Sequence, residues 1–270
     1  AYLDDLQLFD YPVDLVINYD IIPEDMLPSY QAAYKRAGQT LLGASYTPLR
    51  RQFQMEVPAV RPSVKDILIT TGGSDPYHFC LNLLSRFQER LSALIAEPDF
   101  HLHVLIGSLN EDKRLLRELA AELSFLRLHE NVTDMAALMA SCDLAISAAG
   151  TTLYELCAVG IPAVSYSFAD NQLPASLAFA NVGAVPYAGD LRVDTESCSI
   201  VPSPDSKDTG SAHGLPDVLS AVCHFVTDMS GNIAKRKSAQ QSMHRLIDGK
   251  GSYRIAGALE ECAFHNFRSP

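Results

Sequence analysis

The chain has no tryptophan, no Cys-x-x-Cys pair, and no apolar stretch near the ~18–20 residues that a membrane-crossing helix needs. It is also short of basic side chains: 21 Lys and Arg stand against 32 Asp and Glu, a formal net charge of −11. Each shortage excludes something. The acidic balance leaves no broad surface to neutralise a phosphate backbone, so no nucleic-acid partner is expected, although a local pocket for one small anion is compatible with it. The six cysteines, at 80, 142, 157, 198, 223 and 262, are scattered, several inside apolar runs such as Leu156-Cys157-Ala158-Val159. They read as reduced, buried thiols of a cytoplasmic protein, and their spacing gives no zinc signal, so no metal or cofactor is expected. No signal peptide is visible and no membrane insertion is expected. The GxGxxG, GxxxxGK[ST] and GxSxG fingerprints are missing too, which weighs against dinucleotide oxidoreductases, P-loop proteins and α/β-hydrolases.

What remains is ordinary globular material. Hydrophobic residues make up 47% of the 270, far above the disordered range and enough for one large domain or two moderate ones. From Val64 to about Ala188 short β-rich runs alternate with helical patterns. The runs are Lys65–Thr71, His101–Ile106, Leu126–His129, Asp143–Ser147 and Ala163–Ser167. Between them, apolar positions such as Phe79, Leu83, Leu84, Phe87, Leu91 and Leu94 recur near the helical period. A helix is predicted over Thr151–Val159, with Gly160 as its left-handed cap before Pro162. Nearly continuous apolar strands in repeated βα units predict an α/β fold, a Rossmann-like parallel sheet with helices on both faces. In the first 60 residues only Asp14–Asn18 reads as a strand, followed by a turn-rich segment over 41–50, so this piece looks like the end of another domain. Asp194 to Asp217 reads as an exposed polar loop.

The ligand crevice of such a sheet lies beyond the carboxyl ends of its strands, and three segments fall there. In Thr71-Gly72-Gly73-Ser74-Asp75-Pro76 two glycines admit close approach of a ligand, Ser74 can donate, and the following helix start favours an anion; the same residues also make a plain turn. In Gly150-Thr151-Thr152-Leu153-Tyr154-Glu155 two hydroxyls and free amides at a helix start suit a diphosphate, with Glu155 on the same face and able to accept from a ribose diol. A capping box of Thr152 with Glu155 fits that spacing equally well. In Asp170-Asn171-Gln172 the amides either meet sugar hydroxyls or start the next helix.

The order of these segments, with Asn131-Val132-Thr133-Asp134-Met135 and Gly160-Ile161-Pro162 between them, resembles the nucleotide-binding half of GT-B enzymes. More closely, it resembles the UDP-sugar hydrolases of the pseudaminic-acid pathway and their spore-coat polysaccharide relatives. Tyr2-Leu3-Asp4-Asp5-Leu6, Leu42-Gly43-Ala44-Ser45-Tyr46-Thr47-Pro48-Leu49-Arg50 and Asp248-Gly249-Lys250-Gly251 strengthen the match, which covers nearly the whole chain. The resemblance implies that residues 61–270 form a nucleotide-sugar-binding C-terminal domain and residues 1–60 the end of an N-terminal Rossmann-like domain. It implies a UDP-sugar or UDP ligand, with Gly72, Gly73, Ser74, Gly150, Thr151 and Thr152 at the diphosphate and Glu155 at the ribose. Main chain at Asn131 and Val132 would meet the uracil, and Asn171 with Gln172 the sugar. The implied chemistry is hydrolysis of the anomeric C–O bond of a UDP-2,4-diacetamido-trideoxy sugar; a GT-B glycosyltransferase and a non-catalytic UDP-binding module are the alternatives. Members of the family carry the catalytic histidine in a GxGHxxR segment, and this chain opens Ala1-Tyr2-Leu3 without an initiator methionine or such a segment. The catalytic residue is therefore unknown here: of the eight histidines, at 78, 101, 103, 129, 213, 224, 244 and 265, only His78 and His129 fall near the inferred cleft, and both read as ordinary surface or edge residues. The sheet remnant in residues 1–60 also offers an edge to a partner copy, hence an oligomer.

Overall fold

A computed structural model describes residues 1–4, 7, 9–192 and 214–266, with side chains to residue 263. Most of the expected polar loop 194–217, together with Cys198 and His213, lies outside the described residues. The chain begins with β1 (Tyr2–Leu3), β2 (Leu15–Asn18), helix α1 (Leu27–Ala33) and β3 (Gln39–Leu42), which form a three-stranded parallel sheet in the order β1-β2-β3. This part departs from the sequence expectation, which saw a single strand. Gln39–Leu42 is a strand whose register pairs Ile17 with Leu41. At four residues, with Gln39 exposed and Leu41 buried, its alternation is too short to stand out beside the Gly-Pro turns that follow. A buried polar chain stitches the piece together: Asn18 donates to the Tyr34 hydroxyl (3.1 Å), which donates to Asp4 (2.7 Å).

The chain then runs through β4 (Asp66–Thr70), α2 (Phe79–Arg90), α3 (Ser92–Ile95), β5 (His101–Leu105), α4 (Lys113–Glu122), β6 (Leu126–His129), α5 (Met135–Ala140), β7 (Leu144–Ala148), α6 (Thr151–Val159), β8 (Ala163–Ser167), α7 (Leu173–Asn181) and β9 (Tyr187–Asp190). Helices α8 (Leu215–Ser230), α9 (Ile233–Leu246) and α10 (Gly251–Asn266) complete it. The six later strands form one wholly parallel sheet, β6-β5-β4-β7-β8-β9. This is the Rossmann-like α/β sheet that the alternating pattern predicts. On one face Ile67, Ile69, Val104 and Ile146 pack with Phe79, Leu83 and Phe87 of α2 and with Val218 and Val222 of α8. On the other, Leu68 and Ala145 pack with Leu153 and Leu156 of α6 and Met243 of α9.

Strands β7 and β8 are buried at every position, as two covered faces demand. Strand β5 is different: Leu102 and Val104 are buried, whereas His101, His103 and Leu105 are only half-buried, because the short α5 covers little of that face. Gly160 ends α6 in the left-handed region (φ 77°, ψ 36°), its amide bonded back to Leu156 and Cys157 carbonyls, as its position before Pro162 predicts. Helix α10 returns to the first sheet, where Ile255 and Ala258 pack on Leu15, Ile17 and Leu41. Its Arg254 donates to the Ser45 carbonyl (2.9 Å) and clasps Asp248 (2.5 and 2.8 Å). No described helix is long and apolar enough to cross a membrane.

Candidate functional site

The strand order reverses between β4 and β7: the chain builds outward from β4 to β6, then returns to lay β7 on the other side of β4. Open α/β sheets bind ligands outside the carboxyl ends of the strands at such a reversal. The two glycine turns singled out in the sequence leave those two neighbouring strands, which pair Thr70 with Ser147. Gly72-Gly73-Ser74 follows β4 and Gly150-Thr151-Thr152 follows β7. A Cβ placed on Gly72, Gly73 or Gly150 would meet nothing within 4 Å, so the space in front of all three is open. The turn after β5 holds the first of them from behind. Gly107 is there because a Cβ on it would lie 2.2 Å from the Gly72 carbonyl oxygen, and the Leu109 amide donates to the Gly73 carbonyl (2.8 Å). Two buried hydroxyls, Thr71 just after β4 and Tyr166 on β8, the strand next to β7, have no hydrogen-bond partner among the described residues.

The helices behind the two turns differ in a way the sequence does not reveal. Helix α2 starts only at Phe79, and the Asp75 carboxylate accepts from the Phe79 amide (2.8 Å) and the Cys80 amide (2.9 Å). Its positive end is therefore already occupied by the protein's own anion, which corrects the expectation that this helix start is free for a ligand. Burial pushes the Asp75 carboxyl up, and the two amides oppose it. Helix α6 starts at Thr151, directly after the turn, with Gly150 as its cap residue and no side chain capping it. The capping-box reading of Thr152 and Glu155 is also corrected. Thr152 is the second helical residue, not the cap, so Glu155 is left over for another partner.

That partner is Arg50, whose Nη2 donates to Glu155 Oε1 at 3.0 Å. Glu155 is 16% exposed and Arg50 59%. Burial raises the Glu155 carboxyl above its ordinary range, and Arg50 partly offsets that. Arg50 belongs to a segment 105 positions earlier, so no local pattern marks it as part of this site. Beside Glu155, the Tyr154 ring meets Tyr19 edge-on at 5.9 Å, also from the first part of the chain.

The other predicted residues lie farther out. Asn131 and Val132 follow β6, the edge strand two places from β4; Asn131 is exposed with φ 54°, and Val132 is half-buried. Asn171 and Gln172 sit in a turn of 3-10 helix, Asp170–Gln172, between β8 and α7. Gln172 Oε1 accepts from the Phe168 amide (2.9 Å), so that side chain serves the turn, while Asn171 is exposed. His78 precedes α2 with φ 51° and bonds Asp112 (2.8 Å), which raises its pKa. His129 bonds His103 (2.9 Å). A cavity of about 250 Å³ lined by Pro58, Arg61, Cys142, Asp143, Ile161 and Gln240 opens at the amino ends of β7 and β8, away from both glycine turns.

No known protein-family profile matches the chain. By sequence it is 24% identical over 221 residues to the spore coat polysaccharide biosynthesis protein SpsG of Bacillus subtilis, across 81% of this chain and 57% of that protein. It is 27% identical over 145 residues to a Helicobacter pylori protein, across 54% of this chain and 25% of that one. The latter is named pseudaminic acid cytidylyltransferase and UDP-2,4-diacetamido-2,4,6-trideoxy-beta-L-altropyranose hydrolase. The chain thus spans less than two thirds of either relative. Among solved structures, MurG of Acinetobacter baumannii superposes with a TM-score of 0.53 at 14% identity, over 92% of this chain and 66% of that one. The kitacinnamycin glycotransferase gives 0.53 at 14% identity, over 92% and 70%. The chain has a Rossmann-like α/β fold that matches the GT-B glycosyltransferases.

Proposed function

We propose that the crevice at the β4–β7 reversal binds the UDP moiety of a UDP-sugar, and that the chain is the nucleotide-sugar-binding part of an enzyme of surface-polysaccharide biosynthesis. One observation carries the reading: two glycine turns with open space in front of them lie side by side, and the uncapped start of α6 stands at one of them. Amides at such a helix start, together with the Thr151 and Thr152 hydroxyls, suit a diphosphate. Because Asp75 fills the corresponding position on α2, the anion belongs on α6. Glu155, one turn further along, accepts the ribose hydroxyls. In doing so it exchanges Arg50 for the ligand, and the released guanidinium is a cation at the rim of a diphosphate site. Gly72, Gly73 and Ser74 face the diphosphate from the other turn, main chain at Asn131 and Val132 takes the uracil, and Asn171 and Gln172 approach the sugar.

In the longer protein the proposed reaction is hydrolysis. Water adds to the anomeric carbon of a UDP-2,4-diacetamido-trideoxy sugar, the C–O bond to the β-phosphate breaks, and UDP leaves with a free sugar as the second product. The name of the Helicobacter relative supports this, whereas the glycosyltransferase fold neighbours favour transfer of the sugar to an acceptor. No residue of this chain is assigned as catalytic base. In domain terms, residues 1–60 are read as the end of a preceding Rossmann-like domain and 61–270 as the nucleotide-sugar domain, with α10 reaching back to the former.

Calorimetric titration with UDP tests the pocket: saturable 1:1 binding is expected, and no binding overturns the assignment. Incubating the longer protein with UDP-sugar and no acceptor separates the reactions. Free sugar is the expected product; turnover only when an acceptor is added reads as transfer, and UDP binding without any turnover reads as a non-catalytic module.

A further inference from the structure

Away from the crevice, ionisable side chains gather on the thinly covered face of β5. His101 and His103 are two apart on one strand and so share that face. The register sets His101 opposite Asp66, the first residue of β4. Asp66 Oδ1 lies 2.8 Å from His103 Nε2 and 3.4 Å from His101 Nδ1. The three candidate donor atoms all fall within 4.8 Å of one another. The other nitrogen of His103, Nδ1, is 2.9 Å from Nε2 of His129 at the end of β6, and the two rings stack with centroids 5.1 Å apart. The cluster is reachable from solvent, with His101 28%, His103 13% and Asp66 15% exposed.

We infer that Asp66, His101 and His103 form a binding site for one divalent transition-metal ion, of which zinc is the type case, with water completing its coordination. Two imidazoles and a carboxylate oxygen are the donor set that such ions take, and three protein ligands leave a position open. Donors about 2.0–2.2 Å from a tetrahedral zinc stand about 3.2–3.6 Å apart, so the 3.4 Å contact already fits, the 2.8 Å one opens by about 0.4–0.8 Å, and the two imidazole donors, within 4.8 Å of each other, settle to the same spacing. The ion takes the place of the proton now shared between Asp66 and His103, and that proton leaves to solvent.

The surroundings are arranged for this. When His103 Nε2 ligates, its Nδ1 must carry the hydrogen, and His129 Nε2 stands in line to accept it; an outer partner of this kind fixes the ligand's tautomer and ring plane. Arg61 does not block the site by charge. Its guanidinium is forked onto Asp143 through two contacts of 2.6 Å, which meets its charge there. Only Nη2 reaches Asp66, at Oδ2 (2.8 Å), leaving Oδ1 for the histidine side and pinning the carboxylate in place. Asp66 therefore keeps a net negative charge to offset the ion. The site sits at the amino end of β4 and β5, opposite the glycine turns, so it stands or falls apart from UDP binding.

The test uses the full chain, stripped by chelator and titrated with Zn²⁺ against a chromophoric competitor, with Mg²⁺ in parallel. One zinc per chain at micromolar affinity or tighter is expected, with no competing magnesium. The double variant His101→Ala/His103→Ala should lose that stoichiometric zinc, and His129→Ala should bind it about 10-fold more weakly. The absence of saturable 1:1 uptake by the full chain, or uptake unchanged in the double variant, overturns the proposal. Cobalt substitution of the unaltered chain gives a reading that does not depend on how the variants fold. Visible d–d bands with no thiolate-to-cobalt charge-transfer band are expected, and a thiolate band would place the ion on cysteine and overturn it.

Discussion

Glu155 is held by two opposing influences: burial favours its neutral form, and Arg50 favours its charged one. The net effect is a raised carboxyl pKa, so its contribution to the stability of the free protein is greatest below the ordinary glutamate range and declines as pH rises through the raised value. Glu155→Gln should therefore leave the thermal midpoint near neutral pH no lower than that of the parent, while weakening UDP by about 10-fold or more through loss of a charged acceptor. Inorganic pyrophosphate, which has no ribose, should bind both proteins alike; equal losses for the two ligands in calorimetry would count against the ribose role. Gly73→Ala separates space from fold. A Cβ there meets nothing in the free protein, so the midpoint should hold while UDP binding falls, and unchanged UDP affinity would move the diphosphate elsewhere. At this scale the sequence shows the glycine turns and Glu155 plainly, because strand, turn and helix start are contiguous. It hides Arg50, which is brought in by tertiary structure alone, and it hides the histidine cluster, whose one local trace is His-x-His within a strand.

Elements with several turns or fully buried strands are legible from their periods, as α2, α4, β7 and β8 show. Those that escape are short. Strand β3 is four residues long, and α1 spans only Leu27–Ala33. The start of α6 at Thr151 is where the sequence puts it, because the extended Gly150 delivers the chain straight from β7 into the helix, and only the capping-box alternative for Thr152 and Glu155 falls away. The start of α2 at Phe79, well after its glycine turn, is the one that stays hidden. The attachment of α10 carries a pH signature. Arg254 holds the Asp248 carboxyl down to about 2. The depressed value means that the stabilisation is present above the ordinary aspartate range and is lost as pH falls through about 2. Urea unfolding followed between pH 5 and 2 should show an acid-side decline that is shallower in Asp248→Asn, which starts from a lower plateau.

At the scale of the molecule, Arg236 is the joint. It is 1% exposed, and burial lowers its pKa. Among the described residues it meets no carboxylate at bonding distance; instead it donates to the Met229 and Ser230 carbonyls at the end of α8 (3.2 Å to the latter) and to the Arg61 and Pro62 carbonyls (2.9 and 2.8 Å). One guanidinium thus ties the end of α8, the start of α9 and the segment entering β4. Arg236→Ala strands several buried acceptors and should cost about 3 kcal/mol or more in denaturant unfolding; a loss under 1 kcal/mol would mean that water replaces the guanidinium. The parallel α/β class is legible because most strands of the larger sheet, β4 to β8, read as β-rich runs between helical patterns. The strand order is not, and it is the order that sets the two glycine turns next to each other. The return of α10 is equally invisible, since nothing in Gly251–Asn266 names the sheet it covers.

That return sets the order in which the chain can mature during synthesis. Leu15, Ile17 and Leu41 leave the ribosome more than 200 residues before Ile255 and Ala258, which close over them. The intervening six-stranded sheet can acquire its own core while the first one waits, half-finished, with an apolar face open to water. Contacts so distant along the chain form slowly, and exposed sheet faces recruit neighbours while they wait. The nascent first sheet is thus the face most open to such contacts until α10 arrives to cover it.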